Sequence, residues 1–266
     1  MKHQIFTEKE LESIFSGKKA KKDRAKIFNY IKPVIFFVVI TAVVFVGLNF
    51  MELKQNFLYW YNANYNRSAD TASTDYGQQI LESINMNSNQ STAAKNLPPL
   101  PELSDNNLKV PTIDVVAPIT WKVNNDPESV SDNLINGLIH IDGTALPGER
   151  GNVFITGHSS NYPWVKSNYN NVFALLNKVV VGDVVHLKYG NQDYLYRVND
   201  IKVVQPDDLS PMTQTSTPTL TLMTCTPVGT SLRRLIVTAK QYYPDPNKNT
   251  TSSASNSEMK MPTKVR

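Results

Sequence analysis

The sequence predicts an all-β fold, a closed β-barrel with short helices, preceded by one N-terminal transmembrane helix and a disordered stalk. Three observations carry this prediction: an uncharged run from Pro33 to Met51, a following stretch rich in Asn, Ser, Thr, Asp and Gln, and a series of short β-rich runs after Lys109. A hydrophobic share of 41% in 266 residues is enough for a folded core.

The N-terminal segment comes first. Lys2, Lys9, Lys18, Lys19, Lys21, Lys22, Arg24, Lys26 and Lys32 crowd residues 1–32, whereas from Glu52 to Gly77 the only cations are Lys54 and Arg67. Between them, PVIFFVVITAVVFVGLNFM (33–51) is long enough, at about 1.5 Å per helical residue, nearly to cross a hydrocarbon core of roughly 30 Å. Phe57, Tyr59, Trp60 and Tyr61 follow as an interfacial belt. The charge asymmetry puts the basic segment in the cytoplasm and everything after Met51 outside, a single-pass protein of the cell membrane. No small-x-small cleavage site follows the run, so it reads as an uncleaved signal anchor. The basic cluster KKAKKDRAK has no aromatic residues interleaved, so its expected partner is anionic lipid and no nucleic acid. Thr7 and Glu10 form a capping box for a short cytoplasmic helix.

Residues 52–107 read as an extracellular stalk, ending in the extended NLPPLPEL, with little packing expected. From 108 to 243 the runs VPTIDVVAPI, NVFITGH, DVVHLKYG, DYLYRVNDIKVV, TLTLMTC and LIVTAKQYY alternate or are β-branched, and Gly, Pro, Asn and Asp separate them. Many short strands at such spacing point to a closed barrel. YGNQDY is a hairpin turn, Val172 to Leu176 is a candidate short helix, and 244–266 has too few apolar residues to fold and is expected to be disordered. There is no internal repeat and no second domain.

Cys225 is the sole cysteine, so an exported chain has no internal disulfide, and the thiol is either a buried filler or a nucleophile. It ends the β-rich run TLTLMT, with Pro227 and Gly229 just beyond. A nucleophilic thiol needs a cation nearby and a base. Of the histidines, His3 lies across the membrane, and His186 alternates onto the face opposite Val185 and Leu187, expected to be solvated. His158 ends an apolar strand behind a glycine, as a cleft-rim residue would; His140, in LIHIDG, fits a core imidazole as well as a second candidate. Arg233 and Arg234 open the next strand, and only one of them can share a face with Cys225.

At these residues the chain resembles the sortases. TLTLMTC followed by TPVGTSLRRLIV is similar to the family's TLxTC motif with its arginine nine residues on; GTALPGERGNVFITGH resembles the segment that ends in the family's histidine; LKVPTIDVVAPI resembles its opening strand. The resemblance spans roughly Leu108 to Tyr243 and implies a sortase-like closed barrel. It assigns Cys225 as nucleophile, His158 as the acid/base group and Arg234, the arginine that directly precedes LIV, as the cationic partner. Thr224 would help line the substrate groove. It further implies a transpeptidase that cleaves an LPxTG-like C-terminal sorting signal of exported proteins between Thr and Gly through a thioacyl enzyme. The acyl group would pass to an amine of a wall precursor or a pilin lysine. No cofactor is implied. The stalk holds no Asp-Pro-aromatic tripeptide, so the lid of pilin-building members is not expected, and no carboxylate cluster supports a calcium site. The Ser-x-Gly-Cys pattern of L,D-transpeptidases is missing; the alternative is a membrane-tethered β-barrel binding module without catalysis.

Overall fold

The computed structural model describes residues 7–15, 18–48, 50, 53–54, 56–57, 60–61, 76, 78–79, 102–162 and 164–252. The chain divides into two compact units, Met1–Lys54 and Gln55–Arg266.

In the first unit, helix α1 (Glu8–Phe15) begins at the expected capping box. Glu10 accepts from the Thr7 amide at 3.0 Å and from the Thr7 hydroxyl at 2.8 Å. Helix α2 (Lys18–Leu48) runs through Pro33, and its segment Tyr30–Gly47 is long and apolar enough to cross a membrane, with none of it buried inside the protein. Thr41 donates its hydroxyl to the Phe37 carbonyl one turn back at 2.9 Å, so this polar group needs no water in an apolar setting.

The second unit is built on eight strands: β1 (Asn107–Val110), β2 (Val115–Val123), β3 (Leu138–Ile141), β4 (Asn152–Thr156), β5 (Val184–Tyr189), β6 (Gln192–Val204), β7 (Thr219–Thr226) and β8 (Arg233–Tyr243). They close a barrel in the order β1-β2-β3-β4-β7-β8-β6-β5, with β5 pairing back onto β1. Two neighbour pairs, β2–β3 and β4–β7, are parallel; the rest are antiparallel. Closure leaves no sheet edge.

Alternation along the strands sorts side chains between two cores. Leu220 and Leu222 of β7, Val153 and Ile155 of β4 and Leu235 and Val237 of β8 fill the barrel interior. Met223 and Cys225, Phe154 and Ile236 point outward, into a second cluster. That outer cluster is covered by helix α3 (Pro127–Leu134), in the parallel crossover from β2 to β3. Asp126 starts the helix: its backbone is extended, its carboxylate accepts from the Ser129 and Glu128 amides at 2.8 and 3.2 Å, and Pro127 sits at the first helical position. The Ser129 amide above all holds the Asp126 carboxyl below its usual pKa. Val130 and Leu134, four apart, form the buried stripe. Residues 190–191 make the expected β5–β6 hairpin turn, both at φ near +60°, the requirement of a type I′ turn.

Four expectations need correction. The tail is ordered as far as Ser252: a 3-10 turn at Pro246–Lys248 leads to Thr250, which bonds Gly148 and Arg150 through its backbone, while Asn249 bridges Gln241 and the Glu149 carbonyl. Backbone bonds and the Asn249 side chain, invisible to an apolar count, do this anchoring; the rest of the tail lies outside the described residues. The stalk reaches the barrel at Tyr76 and at Glu102–Asn106, where Leu103 is buried and Lys188 bonds Glu102 at 3.1 Å. The stalk sequence also allows a frayed helix around Gln78 to Ile84, which falls mostly outside the described residues. His186 does point to the outer face, yet it is buried, because Tyr76 covers it: the Tyr76 hydroxyl lies 2.8 Å from Nδ1 and Asp193 lies 2.8 Å from Nε2. Burial, with the Asp193 charge second, raises the Tyr76 pKa. Finally, the helical turn after Val172 is a 3-10 turn at Leu176–Lys178.

Candidate active site

Cys225 sits one residue from the end of β7, between β4 and β8. On one side, β8 is antiparallel, and its register sets Arg234 directly opposite Cys225 and Arg233 opposite Thr226. Directly opposed residues share a face, with Cβ atoms about 4.5–5.5 Å apart. Arg234 is 2% exposed, whereas Arg233 is turned to solvent. The Arg234 head group is fixed by Nη1, which donates to the Ser231 carbonyl at 3.0 Å and the Arg233 carbonyl at 3.3 Å; its Nε is buried with no hydrogen-bond partner among the described residues. A buried guanidinium N–H left over in this way is a donor available to a ligand oxygen.

On the other side, β4 runs parallel to β7, with Ile155 opposite Leu222 and Thr156 opposite Met223. The chain continues past Thr156 in the same track, since the Gly157 amide bonds the Met223 carbonyl at 3.2 Å. Two steps beyond Thr156 comes His158, level with Cys225 and, by alternation, on the outward face with Phe154. Gly157 is required by close approach: a Cβ there would stand 2.5 Å from Leu138 Cδ2 and 2.9 Å from Phe173 Cδ2. The Phe173 amide then holds the His158 carbonyl at 2.9 Å as the following loop returns. His158, Cys225 and Arg234 thus lie abreast on three neighbouring tracks, on one face, and all three are buried.

Thr224 occupies another place than the groove lining implied by the resemblance. It points to the interior side with Leu222, is buried, and donates its hydroxyl to the Gly157 carbonyl at 2.8 Å. It pins the residue before His158 to the residue before Cys225.

His140 is a core imidazole. Nε2 bonds the Ala145 carbonyl at 2.9 Å and meets the Thr144 hydroxyl at 2.8 Å, while Nδ1 accepts from the Lys122 amide at 3.3 Å. Burial pushes its pKa down to about 4, and the ring stays neutral. Its strand β3 lies on the far side of β4 from Cys225.

The sequence from 108 to 242, just over half of the chain, matches the Sortase domain family. The chain belongs to the sortase family. Among solved structures this sortase is similar to sortase C1 of Streptococcus agalactiae, at 29% identity over 53% of this chain and 70% of that one, with a TM-score of 0.45. It is similar to a lid mutant of sortase A from Corynebacterium diphtheriae, at 31% identity over 53% and 71%, TM-score 0.45. It also resembles the sortase D5 transpeptidase of Clostridium perfringens, at 32% identity over 51% and 77%, TM-score 0.42. Comparison with curated proteins gives no match.

The residue that sequence reasoning missed is Asn161, in the polar run after His158. Its amide nitrogen lies 3.4 Å from His158 Nε2. Only its distance of three residues from the histidine hinted at it.

Proposed function

We propose that this sortase is a membrane-anchored cysteine transpeptidase that recognises an LPxTG-like sorting signal and passes the cleaved protein to an amine. His158 Nε2 takes the Cys225 thiol proton as Sγ attacks the threonine carbonyl carbon, the Thr–Gly C–N bond breaks, and that proton passes to the departing glycine nitrogen. A thioester remains. The acceptor amine then attacks the same carbon, the C–S bond breaks, and His158 carries the proton from the amine to the departing sulfur. Arg234 donates to the carbonyl oxygen as charge develops on it. The acceptor is an amine of a wall precursor or a pilin lysine. Helix α2 keeps the enzyme at the membrane beside tethered substrates, with the barrel outside.

The observation that carries this reading is the cross-strand register of Cys225 with Arg234. A cation held opposite a thiol favours thiolate and stands ready for the oxyanion, which a mere filler cysteine does not need. Thr224 serves by holding the Gly157–His158 track against β7. The test is intact-protein mass spectrometry after mixing with an LPxTG-like peptide. An acyl adduct mapped to Cys225 that disappears on adding an amine is expected; peptide turnover without an adduct, or no turnover at all, would overturn the proposal. Comparing surface proteins from cells with and without the enzyme identifies the acceptor.

A further inference from the structure

The loop that follows His158 contains a chain of side-chain amides whose orientations are fixed. Asn170 Nδ2 donates to the Val165 carbonyl at 2.5 Å, and since a carbonyl only accepts, Asn170 must present its Oδ1 on the other side. That oxygen accepts from Asn161 Nδ2 at 3.0 Å. The Asn161 Oδ1 is in turn engaged by the Tyr162 amide, a pure donor, at 2.8 Å. Both ends of Asn161 are therefore determined, and its second N–H points to His158 Nε2 at 3.4 Å. A donor facing Nε2 requires a lone pair there, which puts the ring proton on Nδ1, an atom fully enclosed by the protein.

We propose that Asn161, itself oriented by Asn170, is a positioning residue that selects the Nδ1–H tautomer of His158 and keeps Nε2 as the ring's proton-accepting nitrogen. The contact is long, so it biases the tautomer without tying up the lone pair, which can still take a proton from a thiol or an incoming amine. It plays the part that a carboxylate takes in hydrolase triads, with the opposite sign: an amide that stabilises the neutral ring and not the imidazolium. The ionisable groups that the strand register brings to the same side are Cys225 from β7 and Arg234 from β8. A Cys225 thiolate favours the imidazolium and Arg234 opposes it. From the loop, the Asn161 amide at the ring and the Phe173 amide at its carbonyl are uncharged.

This inference rests on the acid/base role of His158, and its test separates the two. The 15N shifts of the His158 imidazole, read in the folded barrel, report the tautomer whether or not any peptide is turned over. In wild type Nε2 is expected to be unprotonated at neutral pH. Asn161→Ala should lose that preference, and Asn161→Asp, nearly isosteric and unable to donate, should protonate Nε2 and raise the ring's apparent pKa by about one unit or more. Asn170→Ala should act in the same direction as Asn161→Ala but less. In turnover, Asn161→Ala should lower kcat about 10- to 100-fold with KM within about two-fold. For Asn161→Asp, the pH limb assigned to His158 should move up with the ring. A wild-type ring protonated at Nε2, or unchanged tautomer and pH limb in Asn161→Asp, would overturn the proposal. Normal tautomer shifts in a protein inert toward every sorting peptide would instead sink the transpeptidase reading.

Discussion

The arginine pair separates the strand argument most sharply from a generic appeal to positive charge. We predict that Arg234→Ala slows thioacyl formation by about 100- to 1,000-fold, the loss of one preorganised donor at a developing oxyanion, equivalent to about 2.7–4 kcal/mol. The size follows from the setting: the guanidinium is 2% exposed, is held by two backbone carbonyls and sits directly opposite Cys225, so water cannot replace it. Arg234→Lys should recover little, because one ammonium cannot bond both carbonyls and still offer a donor in the same plane. Arg233 is one residue away, exposed and opposite Thr226, and Arg233→Ala should stay within a few-fold of wild type. The assay is single-turnover acylation with a quenched fluorescent sorting peptide, with circular dichroism confirming the fold. A mild effect at Arg234 together with a large one at Arg233 would refute the register argument; mild effects at both would remove arginine from the mechanism.

Cys225→Ala should abolish cleavage while unfolding free energy falls by only about 1 kcal/mol, as for one buried methyl-sized group, because the thiol is a small member of the outer cluster; denaturant titration checks the second half. His158→Ala should be nearly as severe in turnover, and His140→Gln much less so. The depressed pKa of His140 makes it a stability group: the unfolded chain binds its proton near pH 6.5 and the folded one only near pH 4, so stability present above pH 6.5 is lost as pH falls toward 4. The loss should be on the order of 3 kcal/mol, and urea titrations at pH 7 and 5 should show a smaller drop for His140→Gln than for wild type. A chain from Leu100 to Ser252 should cleave short peptides, yet melt a few degrees lower than the full chain, because it lacks the Tyr76–His186 bond, worth about 1 kcal/mol; an unchanged melting temperature would show that Tyr76 contributes nothing.

The barrel was legible because its strands alternate cleanly, and the β5–β6 turn because Gly190 and Asn191 are residues that tolerate positive φ. The hairpin from Cys225 to Arg234 could be anticipated from the spacing, since Pro227 and Gly229 lie between two strands that must return on one another. What stayed hidden depends on partners remote in the chain. His186 was assigned its face correctly, but whether that face meets water is decided by Tyr76, 110 residues away. The ordered tail is held by Asn249 and Thr250, whose bonding capacity carries no hydrophobic pattern. Thr224 reads as a motif residue beside a cysteine; only the parallel pairing of β4 with β7 reveals that it faces the other way, toward Gly157.

The parallel pairing of β4 with β7 also bears on when the candidate site comes together. The bond from Thr224 to Gly157 joins residues 67 apart, and the connection between their strands includes the whole β5–β6 hairpin. Such non-local contacts form late, after loop-closure entropy has been overcome. The β7–β8 hairpin is local and can bring Arg234 opposite Cys225 early, but until β4 pairs with β7 the sulfur has no imidazole beside it. A newly made chain thus carries its cysteine and arginine together before its histidine joins them, and it is the long-range closure of β4 onto β7 that completes the trio.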